Sequence, residues 1–323
     1  MNRRTRRTLL IVAAVLLLLA VAVFLRSKAP PEAARLLPES DGIIYIDLKP
    51  VRALFHKDIK PLEHAPDYQK FIDGTGFDWE RDLDQVAIGI HRMPDPNGPN
   101  GPVAYSMVLV GKITGKRLND WLEANATSRE TYDGHTIYNL TSQNRTVRVT
   151  RIGYDMVAVS NTPTSEQIHS ILDRHRTAAL PFSGSTLLQQ HFHEVPLLSV
   201  AWGVGQIGLP FTESGAIHVL GFALPIEPDS TIIASIAPAL PVPGALVSVR
   251  LRVEDIAPSE SDATTESAAL ATLVTLARAI SLPQANSKTN QLLQELLKTA
   301  EVTQHGERIV ITATLPASFL ASL

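Results

Sequence analysis

Residues 85–91, QVAIGIH, and 103–113, VAYSMVLVGKI, flank the stretch Arg92-Met-Pro-Asp-Pro-Asn-Gly-Pro-Asn-Gly-Pro102. The two flanks are apolar runs of strand length, and a segment so dense in Pro, Asn and Gly can be neither helix nor central strand. The reading is therefore two antiparallel strands joined by an exposed loop, and an antiparallel sheet becomes the frame of the fold.

Working outward toward the carboxyl terminus, residues 114–126 (TGKRLNDWLEANA) place Leu118, Trp121 and Leu122 at helical spacing, so an amphipathic helix follows the hairpin. Tyr132-Asp133-Gly134-His135 carries the Asp-Gly pair of a tight hairpin turn. Strands are expected at 136–140, 146–152 and 156–159. Thr162-Pro163 opens a helix with Ile168, Ile171 and Leu172 as its apolar stripe. Further on, strands 231–236 and 245–253 precede helices 259–280 and 288–302 and a last strand, 308–315 (RIVITATL). The order hairpin, helix, turn, strand thus occurs twice, with Gln304-His305-Gly306 in the place of Asp133-Gly134, and suggests a weak internal duplication.

Toward the amino terminus, residues 43–48 (IIYIDL) follow Asp41-Gly42 as a buried strand, and 27–38 (SKAPPEAARLLP) reads as a spacer. Thr8 to Leu25 (TLLIVAAVLLLLAVAVFL) holds no charge and is long enough, at about 1.5 Å per residue, to span most of a bilayer's hydrocarbon core of about 30 Å. Arg3, Arg4, Arg6 and Arg7 precede it and only Arg26 and Lys28 follow closely, so the tail stays in the cytoplasm and the bulk is extracytoplasmic. The competing readings are a cleaved signal peptide ending at Ala20 and Ala22 and a twin-arginine export signal at Arg6-Arg7; the length of the apolar run favours an anchor. The expected organisation is a basic tail 1–7, a signal-anchor helix 8–25, a linker 26–40, and α+β parts 41–225 and 226–323 that form two domains or one. The fold class is α+β, with a mainly antiparallel sheet and packed helices.

The 323 residues carry 29 Lys+Arg against 32 Asp+Glu, a net charge of -3 that names no charged partner. The chain has no cysteine, which removes disulfides, thiol nucleophiles, Cys-ligated zinc, iron-sulfur clusters and the lipid-bearing cysteine of lipoproteins. With 45% hydrophobic and 19% charged residues it can bury a core.

A search for chemistry returns candidates that carry none. His191-Phe192-His193-Glu194 is the densest ligand-like cluster, but the two histidines diverge on a helix and no third ligand accompanies them. Asp73-Gly74-Thr75-Gly76 lacks the Asp-Thr-Gly order of aspartic proteases and reads as a glycine turn. Gly203-Val204-Gly205 is too short for a dinucleotide loop. His169 and His175 lie on a helix without a paired acid, and Asp78, Glu80, Asp82 and Asp84 are carboxylates at a helix start, where the dipole favours them. Asn125, Asn139 and Asn144 open glycosylation sequons. Catalytic, cofactor-binding and metal residues are therefore all none, no cofactor is expected, and nucleic acid is excluded as a partner by the lack of basic patches with interleaved aromatics.

Leu36-Leu37-Pro38 leading to Ile43-Ile-Tyr-Ile-Asp47, Phe77-Asp78-Trp-Glu-Arg-Asp82-Leu83-Asp84-Gln-Val-Ala-Ile-Gly89, Val110-Gly-Lys-Ile113, Tyr132-Asp-Gly-His-Thr-Ile-Tyr138 and Met156-Val-Ala-Val-Ser160 follow the anchor. The combination resembles membrane-anchored bacterial envelope proteins of the acidobacterial type, a domain family of unknown function. The resemblance implies a compartment, the inner membrane with the bulk of the chain in the periplasm, and supplies no catalytic residues. The expected activity is binding, in an envelope structural, assembly or sensing role with the membrane and an envelope protein as partners. An envelope hydrolase and a carrier of an apolar ligand are the alternatives.

Overall fold

The computed structural model describes residues 12, 29–55, 66–98, 101–113, 115–142, 145–177, 183–206, 218–219, 222–223, 226, 230–239, 248–279 and 288–316. The anchor expected at 8–25 lies outside the described residues except for Val12. Among the described residues no helix is long and apolar enough to cross a membrane.

In chain order the elements are α1 (Glu32–Arg35), β1 (Gly42–Asp47), α2 (Leu48–Phe55), α3 (Pro66–Thr75), α4 (Trp79–Asp82), β2 (Leu83–Arg92), β3 (Val103–Gly111), α5 (Lys116–Asn125), β4 (Ser128–Tyr132), β5 (His135–Ser142), β6 (Arg145–Ile152), β7 (Met156–Ser160) and α6 (Glu166–Arg176). There follow α7 (Thr186–His191), a 3-10 turn (Phe192–Glu194), β8 (Ala201–Gln206), the short pair β9 (His218–Val219) and β10 (Phe222–Ala223), β11 (Thr231–Pro238), β12 (Val249–Ile256), α8 (Glu260–Ala279), α9 (Lys288–Thr299), β13 (Glu301–His305) and β14 (Arg308–Leu315). The fold is α+β with a large antiparallel sheet. Among the described residues twelve strands pair in the order β13-β14-β12-β11-β8-β1-β2-β3-β7-β6-β5-β4, and each of these pairings is antiparallel.

The quoted hairpin lies near the middle of this sheet. Val86 faces Leu109 and Ile88 faces Met107 across β2 and β3, and the loop between them closes with Met93 N–H donating to the Pro102 carbonyl at 3.0 Å. At the other end of the hairpin, Gly111 meets a register shift between Leu83 and Gln85, and a Cβ there would stand 2.2 Å from the Asp82 carbonyl oxygen. Only glycine fits that approach.

Because side chains alternate along a strand, the sheet has two apolar faces. Ile43, Tyr45, Ala87, Val108, Ala158, Trp202 and Val204 share one buried cluster with Ile168, Ile171 and Leu172 of α6 and Leu188 of α7. On the other face Leu109, Val149 and Val157 pack with Leu122 of α5 and Phe77, while Ala263 and Leu270 of α8 pack with Ile309 of β14. Helices on both faces are what the near-continuous apolar runs of the central strands require.

Two expectations are corrected. The spacer 26–40 is not all spacer: Ala33, Ala34, Leu36 and Leu37 are fully buried in the first cluster, because Pro31 starts the single helical turn α1 by accepting the Ala34 and Arg35 N–H groups at 3.0 Å. The helix expected to reach residue 302 ends at Thr299, and Glu301–His305 is the edge strand β13, its alternation of exposed and half-buried residues fitting a pleat better than a helix. Ser128–Tyr132 and Ala201–Gln206 are strands that had no expectation at all.

From the β1–β8 pair outward, one half of the sheet runs β1-β2-β3-β7-β6-β5-β4 and the other β8-β11-β12-β14-β13. In each, three strands are laid down side by side, helix follows, and the last strand returns beside the third. The hairpin that returns is turned by Gly153 (φ 62°) in one half and Gly306 (φ 60°) in the other, so Gln304-His305-Gly306 stands where Gly153 stands and not where Asp133-Gly134 does. The sheet passes without a break from the residues before 225 to those after, since β8 pairs with both β1 and β11.

Candidate functional site

The pairing of β1 with β8 sets Tyr45 opposite Trp202, and their rings stack with centroids 5.4 Å apart and planes at 27°. Phe192 meets Trp202 edge-on at 5.5 Å. These three rings form the floor of a cleft of about 850 Å³, within the range of small-molecule sites. Leu188 of α7 and residues 192–199 make one wall, Ala29, Pro30 and Pro31 another, and Asp47 stands on the same face of β1 as Tyr45. Ser185 caps α7 through its hydroxyl, which accepts the Leu188 N–H at 3.4 Å, and the 3-10 turn then carries the chain around the cleft.

The wall ends in a tight turn. Ser199 donates its N–H and its hydroxyl to the Pro196 carbonyl, at 3.3 and 2.7 Å, and Leu198 in the third position has φ 69°. A positive φ at that position ordinarily selects Gly or Asn. Leu197 and Leu198 are 62% and 69% exposed.

The polar chemistry of the cleft divides into used and unused groups. Glu194 accepts from Arg308 Nη2 at 2.7 Å and from His191 Nδ1 at 3.2 Å, and Arg308 also donates to Glu254 at 2.7 Å, which takes a second bond from Arg252 at 2.7 Å. Burial by itself would raise the Glu194 carboxyl, but the hydrogen bonds from Arg308 and His191 outweigh it and hold the group below its ordinary value. Glu194 is thus committed as an anion that ties the wall of the cleft to β12 and β14. The unused groups are at the floor. Tyr45 and Trp202 are each only 4% exposed, yet neither the phenol oxygen nor the indole N–H is among the buried unpaired polar atoms of the described residues, so both donors open on the cleft. Burial, and secondarily the Asp47 carboxylate, raise the Tyr45 phenol well above its ordinary value, so it stays a protonated donor. Polar groups placed on the floor of a mainly apolar cleft fix the orientation of an occupant that offers them an acceptor.

The sequence candidates fall as follows. His191 and His193 both turn to Glu194, His193 at 3.7 Å and 72% exposed, and among the described residues no group of three or more ligating side chains converges on a metal position. Asp73-Gly74-Thr75-Gly76 ends α3: the Thr75 hydroxyl donates to the Phe71 carbonyl at 2.7 Å, and Gly76 has φ 73°. Asp78 caps α4 by accepting the Glu80 N–H at 3.0 Å; Asp82 accepts from Arg81 and from the Asp78 N–H, and Asp84 pairs with Lys49 and Arg52. Gly203 and Gly205 belong to β8, where the backbone of β1 passes close to both. His169 stacks on Tyr132 at 3.8 Å, and His175 lies 6.5 Å from His135. Asn125 donates to the Trp121 carbonyl, Asn139 donates to Ser128, and Asn144 lies outside the described residues.

No family model matches the chain, and no curated protein matches it. Solved structures of TP0453 are similar in outline. Crystal form IV aligns over 90% of this chain and 95% of its own at 13% identity and a TM-score of 0.48. Form III aligns over 91% and 97% at 13% identity with a score of 0.46.

Two buried polar groupings went unnoticed in the sequence. His91 Nε2 and Ser106 Oγ are 2.9 Å apart, the spacing of a base and a hydroxyl nucleophile, but Ser106 is fully buried and His91 only 6% exposed. Burial pushes the imidazole below its ordinary value, against the pull of Asp41 and the Glu39 carbonyl, so the pair is a neutral core contact that no substrate reaches. On the opposite half, Asp255 of β12 and Glu266 of α8 are 3% and 5% exposed and Ser230 is fully buried. Burial holds the Asp255 carboxyl above its ordinary 3.8, and neither of its oxygens accepts a hydrogen bond among the described residues. A carboxyl raised on folding contributes stability that is complete below its unfolded value and is lost as pH climbs through the folded one. Asp255→Asn, uncharged throughout, is therefore expected to be more stable than the natural protein by about 1–2 kcal/mol at pH 8, with the difference shrinking at pH 4. Urea unfolding at the two pH values checks this, and a pH-independent loss of stability would contradict it.

Proposed function

We propose that the chain is a single-pass inner-membrane protein whose extracytoplasmic domain works by binding, with the cleft over Tyr45 and Trp202 as its binding site. The observation that carries this reading is the cleft floor: three aromatic rings and two donors, the Tyr45 hydroxyl and Trp202 Nε1, that open on a cavity of about 850 Å³. An occupant offering an acceptor to Trp202 Nε1 and apolar surface to Leu188 and Phe192 satisfies both requirements at once. The uncharged run at residues 8–25 and the arginines before it support the location.

Binding is favoured over hydrolysis because Glu194, the carboxylate of the cleft wall, is tied to His191 and Arg308. Carriage of an apolar ligand is the second reading, favoured by Leu188, Val195, Leu197 and Phe192 in the lining. The matching strand order on the two sides of the β1–β8 pair supports descent from a duplicated unit, with the cleft placed at the join.

The test is to purify the full-length protein from its own membranes and weigh it under native conditions. A non-covalent adduct of constant mass is expected; a protein that carries no adduct and gains none on incubation with a lipid and solute extract of those membranes would overturn the reading.

A further inference from the structure

We infer that the turn of residues 196–199 rests on the bilayer surface, with Leu197 and Leu198 in the interfacial layer and the mouth of the cleft facing lipid. The inference builds on the anchor reading and adds an orientation and a contact surface to it.

The first observation is where the chain enters the fold. Ala29, Pro30 and Pro31 line the same cleft as Leu197 and Leu198. The apolar run of the sequence ends at Leu25, and four residues reach at most about 14 Å at about 3.6 Å each. Of that distance the headgroup layer alone takes about 5–7 Å, half the difference between a bilayer and its hydrocarbon core. A chain anchored through Leu25 therefore cannot hold this rim of the cleft far from lipid, whatever path residues 26–28 take.

The second observation is the turn itself. Leu197 and Leu198 are the only consecutive pair among the described large apolar residues that stand exposed. Leu198 is also held at φ 69°, in a turn position where glycine or asparagine would be unstrained. In water that residue bears two penalties, an unfavourable backbone and an exposed isobutyl group. At an interface the second becomes a gain, since apolar side chains partition there. Of the charges at this face, Glu194, at the base of the turn, is matched by Arg308 and His191, Asp47 is the other carboxylate of the lining, and Arg26 and Lys28 add positive charge to the stretch that leaves the membrane.

The absence of cysteine makes the test direct. Leu198→Cys, Leu197→Cys and, as a reference, Tyr154→Cys at an 87% exposed turn outside the cleft would each carry one environment-sensitive fluorophore. The full-length proteins are reconstituted into vesicles of phosphatidylethanolamine and phosphatidylglycerol with and without nitroxide-labelled lipid. A blue shift and at least about twofold quenching are expected at 197 and 198, with neither at 154. Equal, unquenched emission at all three sites, in protein that resists alkaline carbonate extraction, would overturn the docking while leaving the anchor intact. Equal quenching at all three would also overturn it, and release by carbonate would overturn the anchor reading and this inference with it.

Discussion

Trp202→Ala is expected to lower the unfolding free energy by about 3–5 kcal/mol, the range for truncating a large buried aromatic. The residue is 4% exposed in β8, the strand that joins the two halves of the sheet through β1 and β11. Its ring is the shared neighbour of Tyr45 and Phe192, so truncation empties the cleft floor and removes a stacked and an edge-on contact together. Collapse of the surroundings is hindered because β8 is fixed by ladders on both sides, which places the cost toward the upper end. Trp202→Phe keeps an aromatic ring against Tyr45, removes only the indole donor and part of the volume, and is expected to cost about 1–2 kcal/mol. Urea unfolding of the full chain in detergent, followed by far-ultraviolet circular dichroism, measures both. A loss below about 1 kcal/mol for the alanine variant would mean that the ring is not part of the core.

Arg308→Ala is expected to cost about 2 kcal/mol. Arg308 is the shared cation of Glu194 and Glu254, whose side chains are 10% and 4% exposed. Removing one partner of a buried pair costs about 3–5 kcal/mol, mostly through the uncompensated charge left behind. Here the guanidinium is 43% exposed, and His191 and Arg252 still face the two carboxylates, so the smaller figure applies. The pH dependence has a definite sign. Glu194 is held below its ordinary 4.5, so the stability it contributes is present above that value and is lost as pH falls through the folded one. The penalty of Arg308→Ala should accordingly be largest at neutral pH and shrink toward pH 3. A penalty that is constant between pH 7 and pH 3 would show that the side chain matters only for packing. Since Glu194 begins the wall that ends at Leu198, the same substitution should loosen the cleft wall, visible as faster amide exchange at residues 192–199.

The sheet was legible where sequence pattern and burial coincide. β14, Arg308–Leu315, and the hairpin of β2 and β3 alternate or run apolar between strong turn signals, and local pattern was enough to place them. The Asp133-Gly134 turn was legible because its chemistry is specific to positive φ, which both residues adopt, at 46° and 76°. Ser128–Tyr132 was missed because SRETY has no apolar alternation; it is an outer strand held by the ladder to β5 and not by burial. Ala201–Gln206 was missed for another reason: Gly203 and Gly205 weaken strand propensity, and they are there because the backbone of β1 passes close, with a Cβ at Gly205 only 3.1 Å from Gly42 Cα.

The candidate site was less legible than the fold. The cleft brings together residues 29–31, 45–47 and 188–202, which no local window contains, and its floor depends on a pairing between β1 and β8 across more than 150 positions. The attention drawn to His191-Phe192-His193-Glu194 fell on the right wall with the wrong chemistry, since the histidines serve Glu194 and the phenylalanine lines the cavity. The run of Pro196-Leu-Leu198 followed by Trp202 was the signal available, an apolar cluster outside any predicted element.

If the cleft floor is a binding site, native mass measurement of the full-length protein against Trp202→Phe shows it most directly. The natural protein is expected to carry an adduct that is lost or reduced when the indole N–H is removed while the fold, checked by circular dichroism, remains. An adduct of the same mass and occupancy on both proteins would contradict the account and place the ligand elsewhere on the chain.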